Sequence, residues 1–239
     1  MINSSSDLKS KHNIVVLIPA LNEERSIAKV INDIPKDLVN HIIVIDNGST
    51  DNTANISRDL GVLVISEEER GYGSACLRGI DFIKSLSPDI VVFLDADYSD
   101  YPKDLYKLIK PILEDDYELV IGSRIGGEME EGAMETHAYL LNVFICKLLS
   151  ILLELEITDN GPFRAIKYDA LLSLNMAHRG NGWTFDMLIK AKKVGLKIKE
   201  IPLRYRKRIG KSKISGNIIG GVKALIMITI LIIKYILEK

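Results

Sequence analysis

Ile90-Val91-Val92-Phe93-Leu94-Asp95-Ala96-Asp97 decides the reading of this 239-residue chain. The apolar run reads as a strand buried on both faces, the pattern of a parallel sheet covered by helices. Two carboxylates emerge where that strand ends. In open α/β sheets ligands bind outside the carboxyl ends of the strands. Two acids set there repel each other unless something positive lies between them. A divalent cation with oxygen ligands meets that need, and such a cation also grips phosphate. No His or Cys cluster stands nearby, so Mg2+ or Mn2+ suits the pair better than zinc. The competing reading is an acidic turn after a strand, because Asp is common in turns.

Working outward, apolar runs alternate with helical patterns. Ile14–Ile18 ends at Pro19, Ile42–Ile45 ends at Asp46, and Val62–Ile65 gives a third strand. Between them, Asn22 is expected to cap a helix that Glu23 and Glu24 open, running to about Asp33. Ser49-Thr50-Asp51 is expected to cap a second helix, to about Leu60. Gly71 to Ser85 reads as a third helix, and Pro102 as the first residue of a fourth. Leu119–Ile121 follows as a fifth strand. Strands and helices alternating at this spacing imply a parallel, doubly wound sheet.

The second half has a different texture. Tyr139–Leu155 is apolar, with Lys147, Ser150 and Glu154 on one narrow face at helical spacing. Phe163–Lys167 reads as a strand, Thr184–Val194 as a helix capped by Thr184, and Leu196–Pro202 as strand-like. A basic stretch runs from Arg204 through Arg206, Lys207, Arg208 and Lys211 to Lys213, and Ile218–Leu237 is again apolar. The expected organisation is a polar tail over 1–13, one domain over 14–216 and an amphipathic helix over 217–239.

The chain is 47% hydrophobic and 6% aromatic, so its core is aliphatic. A formal net charge of -1 argues against bulk attraction to nucleic acid. Cys76 and Cys146 lack metal-ligand spacing and read as buried reduced thiols, which suits a cytoplasmic location. Met1 to His12 is polar and shows no signal peptide. The uncharged stretch Ala224–Ile233 is about half of the ~20 residues needed to span a bilayer. It and Tyr139–Leu155 read as helices lying in the membrane interface, on the cytoplasmic face. Packing on the core or pairing in an oligomer is the competing use.

The other chemistry-bearing stretches converge on the same sheet edge. Ile18 to Glu24 joins a strand to a helix, presenting backbone N–H groups to an anionic or nucleotide ligand; an ordinary cap is the alternative. Asp46 ends the second strand and can accept hydrogen bonds from a nucleobase or ribose. The glycines of Arg70-Gly71-Tyr72-Gly73-Ser74 let backbone approach a ligand closely. The basic run can bind diphosphates or lipid headgroups, or form a solvated face.

In order, these stretches resemble the family-2 glycosyltransferases of the GT-A fold. Within them they resemble the polyprenyl-phosphate (dolichyl-phosphate) mannose and glucose synthases. The matching segments are Ile18–Glu24, Val44–Thr53, Arg70–Ala75, Phe93–Pro102, Ile121–Arg124, Asp159–Ile166, Gly180–Met187 and Pro202–Gly216. The resemblance implies a Rossmann-like, mainly parallel α/β sheet with C-terminal amphipathic helices. It implies that Pro19, Ala20, Glu23, Asp46, Gly71 and Gly73 hold the nucleotide of a UDP- or GDP-linked sugar. Asp95 and Asp97 would hold Mg2+ or Mn2+ against its diphosphate. Arg124, Arg164, Arg206, Lys211 and Lys213 would contact donor or acceptor phosphates, and Asp186 falls where relatives often carry a Glu near the acceptor.

The implied reaction is an inverting hexose transfer to a lipid phosphate. Such an acceptor is already an anionic nucleophile, whereas a hydroxyl acceptor needs a base, for which Asp186 is the candidate. Many relatives have two acids where this chain has Asp46-Asn47, so base recognition is expected to differ. Asn160-Gly161-Pro162 replaces a Ser or Thr followed by Gly-Phe-Arg, which bears on acceptor geometry. Transfer to a soluble or glycan hydroxyl is the alternative. A nucleotidyltransferase is disfavoured by the lack of a Gly- and Arg-rich signature followed by Lys near the first strand. A non-catalytic binder is disfavoured by the intact Asp pair.

Overall fold

The computed structural model describes residues 9–210. Among these residues the strands form one sheet in the order β3-β2-β1-β4-β6-β5-β7. They are β1 (Ile14–Ala20), β2 (His41–Asp46), β3 (Leu63–Ser66), β4 (Ile90–Phe93), β5 (Leu119–Ser123), β6 (Arg164–Lys167) and β7 (Ile198–Pro202). The helices, in chain order, are α1 (Ile27–Asp33), α2 (Thr53–Asp59), α3 (Tyr72–Phe82), α4 (Leu105–Glu114), α5 (Thr136–Leu153), α6 (Tyr168–Ser173) and α7 (Trp183–Lys193).

Alternation along each strand sends side chains to two faces. Val15, Leu17, Ile43, Ile45, Val91 and Phe93 pack with Ala75, Cys76, Leu149, Trp183 and Met187 from α3, α5 and α7. Ile14, Val16, Ile18, Val44 and Val92 pack with Ile27, Ile31, Leu105 and Ile109 from α1 and α4. Covering both faces explains why β1 is apolar and buried at every position.

The expected succession of parallel strands is interrupted once. β6 lies between β4 and β5 and is antiparallel to both. Its reversed direction puts its first residue, Arg164, opposite Phe93 and Ile121, at the carboxyl ends of the neighbouring strands. Local polarity alone does not reveal strand direction, because a four-residue buried strand reads the same either way.

Several helix starts shift from their expected positions. Asn22 adopts φ 52° and its Oδ1 accepts from Thr50 N at 2.7 Å, so α1 begins only at Ile27. Asp51 turns the chain through Thr53 N at 3.0 Å, and α2 starts at Thr53. Thr184 Oγ1 accepts from Asn160 Nδ2 at 2.9 Å, inside a helix that begins at Trp183. Pro102 opens a short 3-10 turn, Pro102–Asp104, ahead of α4.

α5 buries Ile145, Cys146 and Leu149, while Leu140, Phe144 and Ile151 are 61%, 59% and 69% exposed. Ser150 Oγ donates to Ile157 O at 3.1 Å, so it does not share a solvated face with Lys147, and the exposed side is mostly apolar. Both cysteines are free and buried. No helix among the described residues is long and apolar enough to cross a membrane. Asn13, at the end of the expected polar tail, donates from its backbone to Asp89 at 2.7 Å. Lys211, Lys213 and the C-terminal apolar helix lie outside the described residues.

Candidate active site

The carboxyl ends of β1, β2 and β4 form the edge that the sequence singles out. Pro19 pairs with Ile45 and Ala20 with Asp46, so both strands deliver their last residues side by side. Asp46 Oδ1 accepts from Ser49 N at 3.0 Å and tightens the turn beneath it. The loops after β1 and β2 are sewn together: Asn22 N donates to Ser49 Oγ at 3.0 Å, Glu23 N to Thr53 Oγ1 at 2.8 Å and Glu24 N to Asp51 Oδ2 at 3.1 Å. Glu23 Oε2 accepts from Ser26 Oγ at 2.9 Å. These bonds tie the two loops into one rim.

Asn47, where many relatives carry an acid, binds backbone instead of facing outward. Its Nδ2 donates to the carbonyls of Glu67 and Glu69 at 3.1 and 2.8 Å, and its Oδ1 accepts from Gly71 N at 2.8 Å. A carboxylate has no donor for those carbonyls. The amide is therefore what positions the glycine loop. Gly71 and Gly73 have a second reason to be glycine: a Cβ would stand 2.3 Å from Arg179 O at the first and 2.1 Å from His178 O at the second. The loop before α7 thus presses directly on the glycine loop, and Ser74 N donates to Arg179 O at 2.9 Å.

Asp95 and Asp97 stand where β4 stops. Asp97 is 5% exposed; its Oδ1 accepts from Ser99 N at 2.9 Å and Ser99 Oγ at 2.6 Å. Asp95 Oδ1 is sealed from solvent with no hydrogen-bond partner. Burial first, and the charge of Asp97 second, push Asp95 up to about 7. Asp100 lies in the same cluster, with Oδ2 also sealed and unpartnered. Burial and the charges of Asp95 and Asp97 hold its carboxyl well above the usual range. Behind them, burial and the charge of Asp95 raise the Tyr72 hydroxyl and the Cys76 thiol. Buried carboxylates with orphaned oxygens are short of positive charge. Hard oxygen donors of this kind fit Mg2+ or Mn2+. Among the described residues no group of three or more acids, His or Cys is arranged to enclose a metal.

The arginines that the resemblance assigned to phosphate contact also have partners within the protein. Arg124 is committed to Asp159, through Nε and Nη2 at 2.7 Å each, with its backbone N on the same carboxylate at 2.7 Å. Burial opposes charge on both partners and their mutual attraction more than offsets it, leaving Asp159 low and Arg124 high. Arg164 is 0% exposed and donates to Gly161 O, Asn160 Oδ1 and Thr184 O. Burial lowers it to about 10. Arg206 lies over the rings of Tyr98 and Tyr101, at 3.3 and 4.0 Å from their centroids, and donates to Tyr98 O and Asp100 O at 2.6 and 2.9 Å. All three guanidiniums brace the loops around the acidic pair. Arg208, not among the expected site residues, forms an ion pair with Asp97 Oδ2 at 3.0 Å. The basic run signalled this segment, but nothing in the sequence says which of its cations reaches the acids.

Asp186 sits in the first turn of α7, 8% exposed, with Oδ2 3.4 Å from Lys190 Nζ and no hydrogen bond to it. Thr184, in the same turn, accepts from Asn160 and from Arg164, which ties α7 to the start of β6.

A doubly wound sheet with paired acids, a glycine loop and a cationic strap at its carboxyl edge defines a class of phosphate-handling transfer enzymes. Residues 15–172 match the Glycosyl transferase family 2 model, and the chain belongs to that family of glycosyltransferases. It is 31% identical to an uncharacterized protein of Methanocaldococcus jannaschii, over 93% of each chain. It is 31% identical to the UDP-N-acetylglucosamine–dolichyl-phosphate N-acetylglucosaminyltransferase of Methanococcus voltae, over 80% of this chain and 84% of that one. Among solved structures it resembles glucosyl-3-phosphoglycerate synthase of Mycobacterium tuberculosis, crystallised with Mn2+, UDP and glucosyl-3-phosphoglycerate. That match has a TM-score of 0.74 and 26% identity, and covers 100% of this chain and 83% of the other. The fold is accordingly GT-A.

Proposed function

We propose that the protein moves a hexose, with inversion, from a UDP- or GDP-linked donor to a polyprenyl or dolichyl phosphate. The observation that carries the donor half is the acidic loop at the sheet edge, with the sealed, unpartnered Asp95 oxygen beside Asp97. Asp95 and Asp97 would hold Mg2+ or Mn2+; the synthase from Mycobacterium tuberculosis binds Mn2+ and UDP on the same fold. The cation, when bound, stabilises negative charge building on the leaving diphosphate. Asp46 and the rim from Pro19 and Ala20 to Glu23 hold the nucleoside, with the Gly71–Gly73 backbone close beside it. Lys211 and Lys213 extend the cationic segment for phosphate contact.

The acceptor half rests on the Methanococcus relative, named for a dolichyl-phosphate acceptor, and on the exposed apolar side of α5. Leu140, Phe144 and Ile151 offer a surface for a hydrocarbon chain or a bilayer interface. A phosphate acceptor brings its own negative charge, so Asp186 orients rather than deprotonates it. On this reading the expected domain over 14–216 works at the cytoplasmic face of a membrane, with the apolar 217–239 stretch expected to add a further contact. A second reading, transfer to a small soluble phosphorylated acceptor, is favoured by the phosphoglycerate complexes of the structural neighbour.

The test is transfer of labelled sugar from a panel of UDP- and GDP-hexoses with Mn2+, using polyprenyl phosphate and 3-phosphoglycerate as rival acceptors. Label extracted into organic solvent, absent with Asp97→Ala, supports the lipid reading. Label confined to a water-soluble product refutes it, and transfer undiminished by Asp97→Ala removes the acidic pair from the mechanism.

A further inference from the structure

Arg208 stands out because its partner is the residue most needed by a cation. The strap after β7 is stitched to the acidic loop on both sides of it: Arg206 N donates to Ser99 O and Ile209 N to Asp97 O, each at 2.9 Å. Between these points the Arg208 side chain meets Asp97 Oδ2 at 3.0 Å. The other oxygen of Asp97 is taken by Ser99. Both oxygens of Asp97 therefore already have protein donors, whereas Asp95 Oδ1 has none. A divalent ion and a guanidinium repel, so they cannot share Oδ2 at contact distance. If the ion takes that oxygen, the guanidinium must find another anion close by. A planar guanidinium fork matches phosphate oxygens in bidentate fashion, and a diphosphate held by the same ion lies within the reach of a long side chain.

We propose that Arg208 is an exchangeable counter-ion: it holds Asp97 in an internal ion pair and passes to the donor diphosphate as the divalent cation takes Asp97, so that cation and nucleotide bind cooperatively. This rests on the reading of the edge as a nucleotide–metal site. Cooperative coupling is reciprocal, and coupling between sites commonly falls between about 5- and 150-fold.

Mn2+ binding to the full chain, measured by calorimetry with and without saturating UDP, tests it. The native protein should bind Mn2+ about tenfold more tightly when UDP is present. Arg208→Gln should bind Mn2+ alone about tenfold more tightly than the native protein, and the gain from UDP should be smaller than in the native protein. Unchanged or weaker Mn2+ binding by Arg208→Gln, with native binding intact, overturns the exchange but leaves the site standing. Failure of the native protein to bind Mn2+ even with UDP overturns both. If the glutamine variant does not fold by circular dichroism, Arg208→Lys replaces it. Kept charge and lost fork predict native Mn2+ affinity alone and a weakened UDP effect, and an undiminished UDP effect overturns the proposal.

Discussion

Replacing Asp159 by Asn should cost the protein far more stability than its single lost charge suggests. Asp159 is 0% exposed and accepts from Arg124 N, Nε and Nη2 and from Asn142 Nδ2. An amide at that position keeps the shape but turns a donor toward the guanidinium and leaves Arg124 charged in a sealed setting. Breaking a buried pair from one side costs about 3–5 kcal/mol. For a chain of this size each kcal/mol moves Tm by roughly 2–4 °C, so the drop should be on the order of 6–20 °C. The assay is urea unfolding followed by fluorescence at several pH values. The Arg124 guanidinium holds the folded Asp159 below the usual carboxylate range, so its contribution is present above the unfolded value and fades as pH falls through the lower folded one. The gap between native and variant should therefore be flat from about pH 5 to pH 8 and close in acid. Adding Arg124→Met should restore more than half of the loss, because an uncharged pair leaves nothing unbalanced. A loss below about 1 kcal/mol, the range of exposed ion pairs, would refute the reasoning and return Arg124 to the candidates for phosphate contact.

Two further outcomes follow from the geometry. Gly73→Ala places a Cβ 2.1 Å from His178 O, so the glycine loop and the loop before α7 must part; UDP affinity should fall at least tenfold by calorimetry while far-ultraviolet circular dichroism stays native. Asp186→Asn should leave the rate on a polyprenyl phosphate within about threefold of native, whereas a drop of about 100-fold would mark a general base and favour a hydroxyl acceptor.

The positions of the expected donor-side residues in the fold were legible because they sit at or just past strand ends. Asp46 and the Pro19–Ala20 pair are set side by side by the register of β1 and β2, which follows from their apolar runs. The cations were not legible, because an arginine's partner depends on elements distant in sequence. Arg124 meets Asp159 only after β6 is inserted, and Arg206 meets Tyr98 only because the strap folds back across the acidic loop. Helix starts failed for a related reason. Asn22 and Thr184 have cap-forming side chains, but each bonds a neighbouring loop instead. Strand polarity was invisible as well, since RAIK reads as buried strand in either direction.

The reversed strand also governs how the molecule can come together in time. β4 and β5 follow one another in the chain yet share no pairing; each waits for β6, whose Lys167 pairs with Ile90 and whose Ile166 pairs with Leu119. During synthesis the β1–β4 half can zip early, leaving the β4 edge open until a strand encoded far downstream closes it. Pairings of such long sequence separation form slowly, and an open hydrophobic edge invites association with other chains meanwhile. β6 thus joins two halves of the sheet that share no direct pairing. The same event delivers Arg164 to the catalytic edge, so the active site is completed only when the sheet is.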